Sequence, residues 1–368
     1  MSGTASFCVL AVNPGSTSTK IAVFEGDREV FCTELMHSCE ELAEFDGKSI
    51  TAQFAFRRDA ILKALADHSM SMKDIDAVSG RGGLLWPMAH GTYAVNPQMV
   101  EDLQAGVQGD HASNLGGLIA NELVRDSGKP AFIVDPVVVD ELPPRVKITG
   151  IKELRRRSIS HALNQIASCQ RFAAETGTSY ESLNLIVAHM GGGISIGAHA
   201  RGKYIDVNDA LDGEGPFSPQ RSGSLPTGAW MRLVLSGKYT RDQLKLLNKG
   251  RGGLIDLLGT ADLREVVRRI EAGDREAADV FEAMCYQIAK AITALLPAFD
   301  GERVDQVILT GGMARSKPLV EKITRYIGAM GSPVTVYPGE NEMGALAQGA
   351  IRVLTGVEKA REYTGRQA

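Results

Sequence analysis

Apolar and polar positions alternate in short runs at the start of the chain. The runs at 7–12, 20–24 and 29–33 are separated by Asn13-Pro-Gly-Ser-Thr-Ser-Thr19 and by a Gly26-Asp27 turn, a pattern that predicts three antiparallel strands. The period then changes. Phe54, Ile61, Leu62 and Leu65 fall on one helical face, a strand at 74–78 runs into Gly80-Arg81-Gly82-Gly83, and a helix at about 112–126 precedes a strand at 131–135. The second half repeats this opening with strands at 184–189, 194–198 and 204–207, the first two joined by Met190-Gly-Gly-Gly193. A long helix striped by Val280, Met284, Ile288, Ile292 and Leu295 follows, then a strand at 304–310, a helix at 317–327 and a strand at 333–337. Met343, Leu346, Ala347, Ala350, Ile351 and Leu354 stripe a closing helix that is expected to return to the first domain. Asn13 and His189 end the two opening strands 176 positions apart, close to half of 368 residues. The reading is an α/β chain of two duplicated βββαβα domains with a cleft between them, 1–150 plus 343–368 forming one and 151–342 the other.

Composition narrows the partners. Lys and Arg number 40 against 44 Asp and Glu, a net charge of -4 that gives no general field for nucleic acid or an anionic membrane. Phosphate binding must then be local, and the 40 glycines are the one skewed count. Five cysteines without CxxC spacing argue against a disulfide framework or a structural zinc site and fit a reducing compartment. The first seven residues carry no positive charge and the apolar run stops at Asn13-Pro14, so no signal-peptide core is read and a cytoplasmic location is expected. The basic run at 152–157 reads as a solvated helix face.

Glycine-rich turns expose backbone N–H groups that can hold phosphate oxygens without net positive charge. Three occur: Asn13-Pro-Gly-Ser16-Thr-Ser18-Thr-Lys20, His189-Met-Gly191-Gly192-Gly193 and Thr310-Gly311-Gly312. None is a GxxxxGK[ST] loop, and the glycines of the first two are followed by a strand where a dinucleotide fingerprint needs a helix, while the third sits between a strand and a helix. Gly193-Ile-Ser195-Ile-Gly197 matches the GxSxG nucleophile elbow, but Ser195 lies in alternating apolar sequence that reads as a strand. Phosphoryl transfer asks for a carboxylate-held metal and for cations at the moving group. Asp135 ends a strand and Glu342 starts a helix, while Arg81 and Arg221 sit on loops bounded by glycine or proline. Taken alone, these also read as a turn aspartate, a helix-start glutamate and surface arginines, and His161 and His111 as ordinary helix histidines.

The order of strands and phosphate turns resembles the superfamily of acetate and sugar kinases, heat-shock chaperones and actin, which implies ribonuclease H-like domains in an actin-like ATPase fold. Six strings are more specific: Val12-Asn-Pro-Gly-Ser-Thr-Ser-Thr-Lys20, Ser79-Gly-Arg-Gly-Gly-Leu84, Gly109-Asp-His-Ala-Ser-Asn-Leu-Gly116, Val134-Asp-Pro-Val-Val-Val-Asp-Glu141, Arg157-Ser-Ile-Ser-His-Ala-Leu-Asn164 and Ile308-Leu-Thr-Gly-Gly312. Together they resemble the butyrate kinase family of short-chain acyl kinases. That resemblance implies reversible, magnesium-assisted transfer between ATP/ADP and a short-chain carboxylic acid, with a homo-oligomer as the usual assembly. It implies that Asn13, Ser16, Ser18 and Lys20 hold phosphates, that Asn13, Asp135 and Glu342 order Mg2+, and that Arg81, with His111, receives the acid. Arg221 and His189 would meet the transferring group and His161 the acyl carbonyl, with Gly191, Gly192, Gly193, Gly311 and Gly312 around the nucleotide. Gly192 replaces an asparagine of acetate kinases, and Trp86 a basic residue common in the butyrate branch. Two other readings are an acetate or propionate kinase and a nucleotide-driven binding protein of the same superfamily.

Overall fold

The computed structural model describes residues 6–366. Its first sheet has β1 (Cys8–Pro14), β2 (Ser18–Glu25), β3 (Arg28–Met36), β4 (Ala77–Arg81), β5 (Thr92–Ala94) and β6 (Ala131–Val134), ordered β3-β2-β1-β4-β6-β5. β1, β2 and β3 pair antiparallel, whereas β4 joins β1 and β6 joins β4 in parallel. The second sheet has β7 (Asn184–Met190), β8 (Ile194–Ala200), β9 (Lys203–Val207), β10 (Gln306–Gly311) and β11 (Val334–Pro338), ordered β11-β10-β7-β8-β9. Read from its other edge, this is the order β3-β2-β1-β4-β6 again, with the same antiparallel and parallel pairs. The duplicated actin-like ATPase fold is therefore present.

Burial follows the sequence pattern. β7 is buried at every position and reads as a continuous apolar strand, while β3 at its sheet edge alternates exposed and half-buried residues. Helices α1 (Phe54–Asp67), α2 (Asn114–Val124), α3 (Ala162–Glu175), α4 (Arg275–Thr293), α5 (Lys317–Ile327) and α6 (Glu342–Leu354) supply the main helical cover. Asp274 caps α4, its side chain accepting from Ala277 N at 3.0 Å. Contacts divide the chain into Met1–Val139 with Asn341–Ala368, and Asp140–Glu340. The division comes earlier than 150/151 because Asp140 and Glu141 bond within the second unit, to Lys147 Nζ and Tyr204 N. α6 belongs to the first unit, where it packs against β1, β4 and β6.

Some expectations change. β4 begins at Ala77, not at 74, because Asp74 accepts from Ser71 N in a turn and Asp76 Oδ2 accepts from Cys8 N. On α1 the buried face runs through Arg57, Ile61, Ala64 and Leu65, and Leu62 is exposed. The stretch at 152–157 is no helix: it is turn and extended backbone, with Arg156 drawn inward to Glu214 Oε1 at 2.6 Å and Asp206 Oδ1 at 3.0 Å. β5, absent from the sequence reading, is three residues long and adds antiparallel to β6.

Candidate active site

Ligands of open α/β sheets gather outside the carboxyl ends of the parallel strands. In the first unit Val12 pairs with Gly80 and Arg81 with Val134, so Asn13 and Arg81 stand side by side where β1 and β4 end, with Asp135 one residue past the partner of Arg81. Glu342, the first residue of α6, closes this row. Its Oε2 accepts from Asn13 Nδ2 at 2.7 Å and from Arg81 Nη1 at 2.8 Å, and Arg81 Nη1 also reaches Asn13 Oδ1 at 3.3 Å. α2 lies tightly on β4, since a Cβ at Gly116 would strike the Arg81 backbone. His111, just before α2, is exposed, and its Nδ1 lies 2.8 Å from Ser113 Oγ.

Asp135 differs from its neighbours. It is a buried non-glycine residue with φ of 40°, in the left-handed region, and its Oδ1 accepts from Gly91 N at 2.6 Å. Burial pushes its carboxyl up to about 6, partly offset by His90 and by the Gly91 N–H. A carboxylate held in a strained backbone and short of solvation is one that a cation would stabilise. Among the described residues no group of three or more His, Cys, Asp or Glu is placed to hold a metal. Magnesium does not require one, because it keeps several waters and takes one or two carboxylates. Asn13, Asp135 and Glu342 carry oxygen donors of the kind that ion takes; Glu342 bonds Asn13 and Arg81, while the charged groups around Asp135 are His90, Arg352 and Glu358.

The β1–β2 turn is held from beneath by Arg57, which is fully buried. Its Nη1 donates to Gly15 O and Ser18 O, each at 2.8 Å, and to Thr19 Oγ1 at 3.0 Å; Nη2 donates to Ser16 O at 3.1 Å. Burial pushes this guanidinium down to about 10. Carbonyls turned inward to one cation leave the turn's outer side to N–H groups and hydroxyls. Ser16 is exposed, Ser18 Oγ donates to Glu34 Oε1 at 2.8 Å, and exposed Lys20 stands opposite Asn13. Sequence reasoning missed Arg57, although its position one helical turn before Ile61 on an apolar stripe was the available signal.

In the second unit His189 is fully buried near the end of β7. Its Nδ1 lies 2.8 Å from Asn164 Oδ1 and its Nε2 3.3 Å from Glu340 Oε1. The His161 ring stacks on it, with centroids 4.0 Å apart. Arg221 Nη1 donates to Ala210 O, and burial lowers its pKa while Asp209 opposes the shift. A Cβ at Gly193 would overlap the Arg221 guanidinium, and one at Gly311, where φ is 91°, would overlap the Met190 backbone. Glycine at these two positions lets the arginine and β10 close on the β7–β8 turn. A cavity of about 790 Å³ opens beside them, lined by Gly191, Gly192, Gly312, Arg315 and Glu340 among others, a volume suited to a nucleotide.

Strand-end glycine turns beside a cavity in one unit, and an arginine with carboxylates at the strand ends of the other, define a phosphotransferase of the actin-like class. The Acetokinase family profile matches residues 152–344, more than half of the chain. Butyrate kinase 2 of Clostridium acetobutylicum is 52% identical over 97% of this chain and 99% of its own. A probable butyrate kinase of Clostridium botulinum is 49% identical over 97% and 100%. Porphyromonas gingivalis acetate kinase superposes with a TM-score of 0.77 at 20% identity, covering 95% of this chain and 100% of its own, which bears on the fold. The chain belongs to the acetokinase family. Within it, the full-length similarity is to butyrate kinases, as the six short strings indicate.

Proposed function

We propose that this chain transfers the terminal phosphoryl group of ATP to the carboxylate of butyrate or a branched short-chain relative, reversibly, giving the acyl phosphate and ADP by direct in-line displacement. The observation that carries this reading is the full-length likeness to butyrate kinases, because the matched length includes both clusters described above. The chemistry agrees with the residues. A carboxylic acid with a pKa of about 4–5 is already ionised at neutral pH, so its oxygen attacks phosphorus without a general base. The demand is for cations that bring two anions together.

In this reading Arg81 receives the acid carboxylate, for which a guanidinium forms paired hydrogen bonds, and Glu342 with Asn13 fixes its orientation. His111 joins Arg81 in receiving the acid. Ser16, Ser18 and Lys20 of the β1–β2 turn and Gly191, Gly192, Gly193, Gly311 and Gly312 hold phosphates, with the adenosine in the 790 Å³ cavity. Arg221 and His189 meet the transferring phosphoryl group, and His161 the acyl oxygen. Asn13, Asp135 and Glu342 would hold Mg2+, which when bound neutralises charge on the phosphate oxygens. Among the described residues no helix is long and apolar enough to cross a membrane, and the cytoplasm and a homo-oligomer complete the proposal.

The test supplies ATP, Mg2+ and straight and branched acids of about two to five carbons, trapping acyl phosphates with hydroxylamine. Fastest turnover with butyrate or isobutyrate is expected. A ranking led by acetate or propionate would move the substrate down the series, and ATP turnover indifferent to any acid would refute the kinase.

A further inference from the structure

Ser195, whose GxSxG string does not form a nucleophile elbow, lies in β8 directly opposite His189. It is fully buried, as is Gln165 on α3; the two bond to one another, and Ser195 bonds to His161. The donors and acceptors in this cluster can be assigned in sequence. Gln165 Nε2 lies 3.1 Å from Ser195 O, and a carbonyl only accepts, so the Gln165 amide has one orientation. Its Oε1 therefore accepts from His199 Nε2 at 3.1 Å, and His199 Nδ1 accepts from Tyr180 O–H at 2.8 Å. On the other side the same Gln165 Nε2 donates to Ser195 Oγ at 2.8 Å, and His161 N approaches that oxygen at 3.5 Å. With donors on its oxygen, the Ser195 hydroxyl turns its own hydrogen to His161 Nδ1, 3.0 Å away. The neutral His161 ring then carries its proton on Nε2.

The geometry points to Gln165 and Ser195 as positioning residues that hold His161 in the Nε2–H tautomer, a hydrogen-bond donor for an oxygen of the acid or of the transferring phosphoryl group. This deepens the proposed function and rests on it for the identity of that oxygen. Stacking on His189 fixes the plane of the ring, and the Ser195 hydroxyl fixes which edge donates. His199 and Tyr180 lie further along the same chain of bonds and keep Gln165 from turning over.

The tautomer is read by long-range 1H–15N correlation on the 15N-labelled full chain without ligands, the His161 signals being those lost in His161→Gln. Wild-type protein is expected to show Nε2 protonated and Nδ1 bare at a pH where the ring is neutral. Gln165→Glu keeps shape but removes the donor, so the Ser195 hydroxyl turns to the new carboxylate and the His161 proton moves to Nδ1. kcat is expected to fall by about tenfold or more, with KM for ATP changed less than about threefold, as for loss of one oxyanion donor. Ser195→Ala, the smaller change should Gln165→Glu not fold, is expected to mix the tautomers and lower kcat, and Ser195→Thr to restore both. A wild-type His161 protonated on Nδ1 overturns the assignment. So does Ser195→Ala with wild-type kcat. Because the tautomer is measured without substrate, absence of acid-dependent turnover in the wild type would count against the proposed function and leave this result standing.

Discussion

Replacing Arg57 by Met separates the phosphate turn from the strands that carry it. The side chain keeps its length and apolar body but loses every donor to Gly15 O, Ser16 O, Ser18 O and Thr19 Oγ1. These losses are unequal. Ser18 O keeps the Gly15 N–H at 2.8 Å, and exposed Ser16 can take water, which leaves Gly15 O as the acceptor with least compensation. A buried acceptor left unpaired costs about 1–3 kcal/mol, so one full loss and three partial ones, Thr19 Oγ1 keeping His37 Nε2 at 2.8 Å, come to about 2–4 kcal/mol. The charge removed was itself held below its ordinary pKa by burial, which keeps the total near the lower end. Two measurements are needed: urea unfolding for stability, and initial rates against ATP and butyrate separately. The expected result is a stability loss of about 2–4 kcal/mol. KM for ATP is expected to rise about tenfold or more as the ordered turn becomes a minor state, with KM for the acid changing much less. Arg57→Lys, with a single ammonium, should recover part of both. Arg57→Met with stability within about 0.5 kcal/mol of wild type and unchanged KM for ATP would refute the idea that this cation shapes the turn.

Three further substitutions separate the proposed roles. Arg221→Ala should lower turnover by about 10³-fold or more with the fold retained by circular dichroism, as for arginines that stabilise phosphoryl charge. Near-normal turnover in folded protein would remove Arg221 from the reaction. Arg81→Ala should chiefly raise KM for the carboxylic acid, and an unchanged acid saturation curve would show that the acid binds elsewhere. Gly193→Ala places a methyl group where the Arg221 guanidinium lies, so kcat should approach that of Arg221→Ala while the melting temperature moves only a few degrees. Wild-type kcat would mean that Arg221 has room to shift.

What the sequence made legible was whatever repeats or alternates. Strands β1 to β3 and β7 to β9 announced themselves through short apolar runs around glycine turns, and the duplication followed from Asn13 and His189. What stayed hidden depends on contacts between distant segments. Arg57 sits among apolar residues because loop carbonyls more than thirty residues away need a donor, and Ser195 matters because Gln165 approaches it from a different element. β4 begins late because Asp76 serves Cys8 and not its own strand. Such pairings leave only a weak local trace, a charged or polar residue on an apolar stripe.

The two sheets also show how one topology supports two kinds of site. With Asn13 matched to His189, the registers match Arg81 to Thr310 and Asp135 to Pro338, and in the second copy glycines follow at once. In the first copy the strands end in charged or amide side chains, which suits a small acid and a metal that bind through a few directed bonds. In the second copy Gly191 follows β7, Gly311 ends β10 and Gly339 follows β11, which lets backbone approach a larger, many-oxygened ligand from several sides. A single substitution shows the difference in kind. A Cβ added at Gly311 meets the Met190 main chain, which cannot give way without moving β7, whereas shortening Arg81 leaves β4 and its neighbours in place. A side chain at Gly311 should therefore cost stability together with activity, whereas Arg81→Ala should cost activity alone.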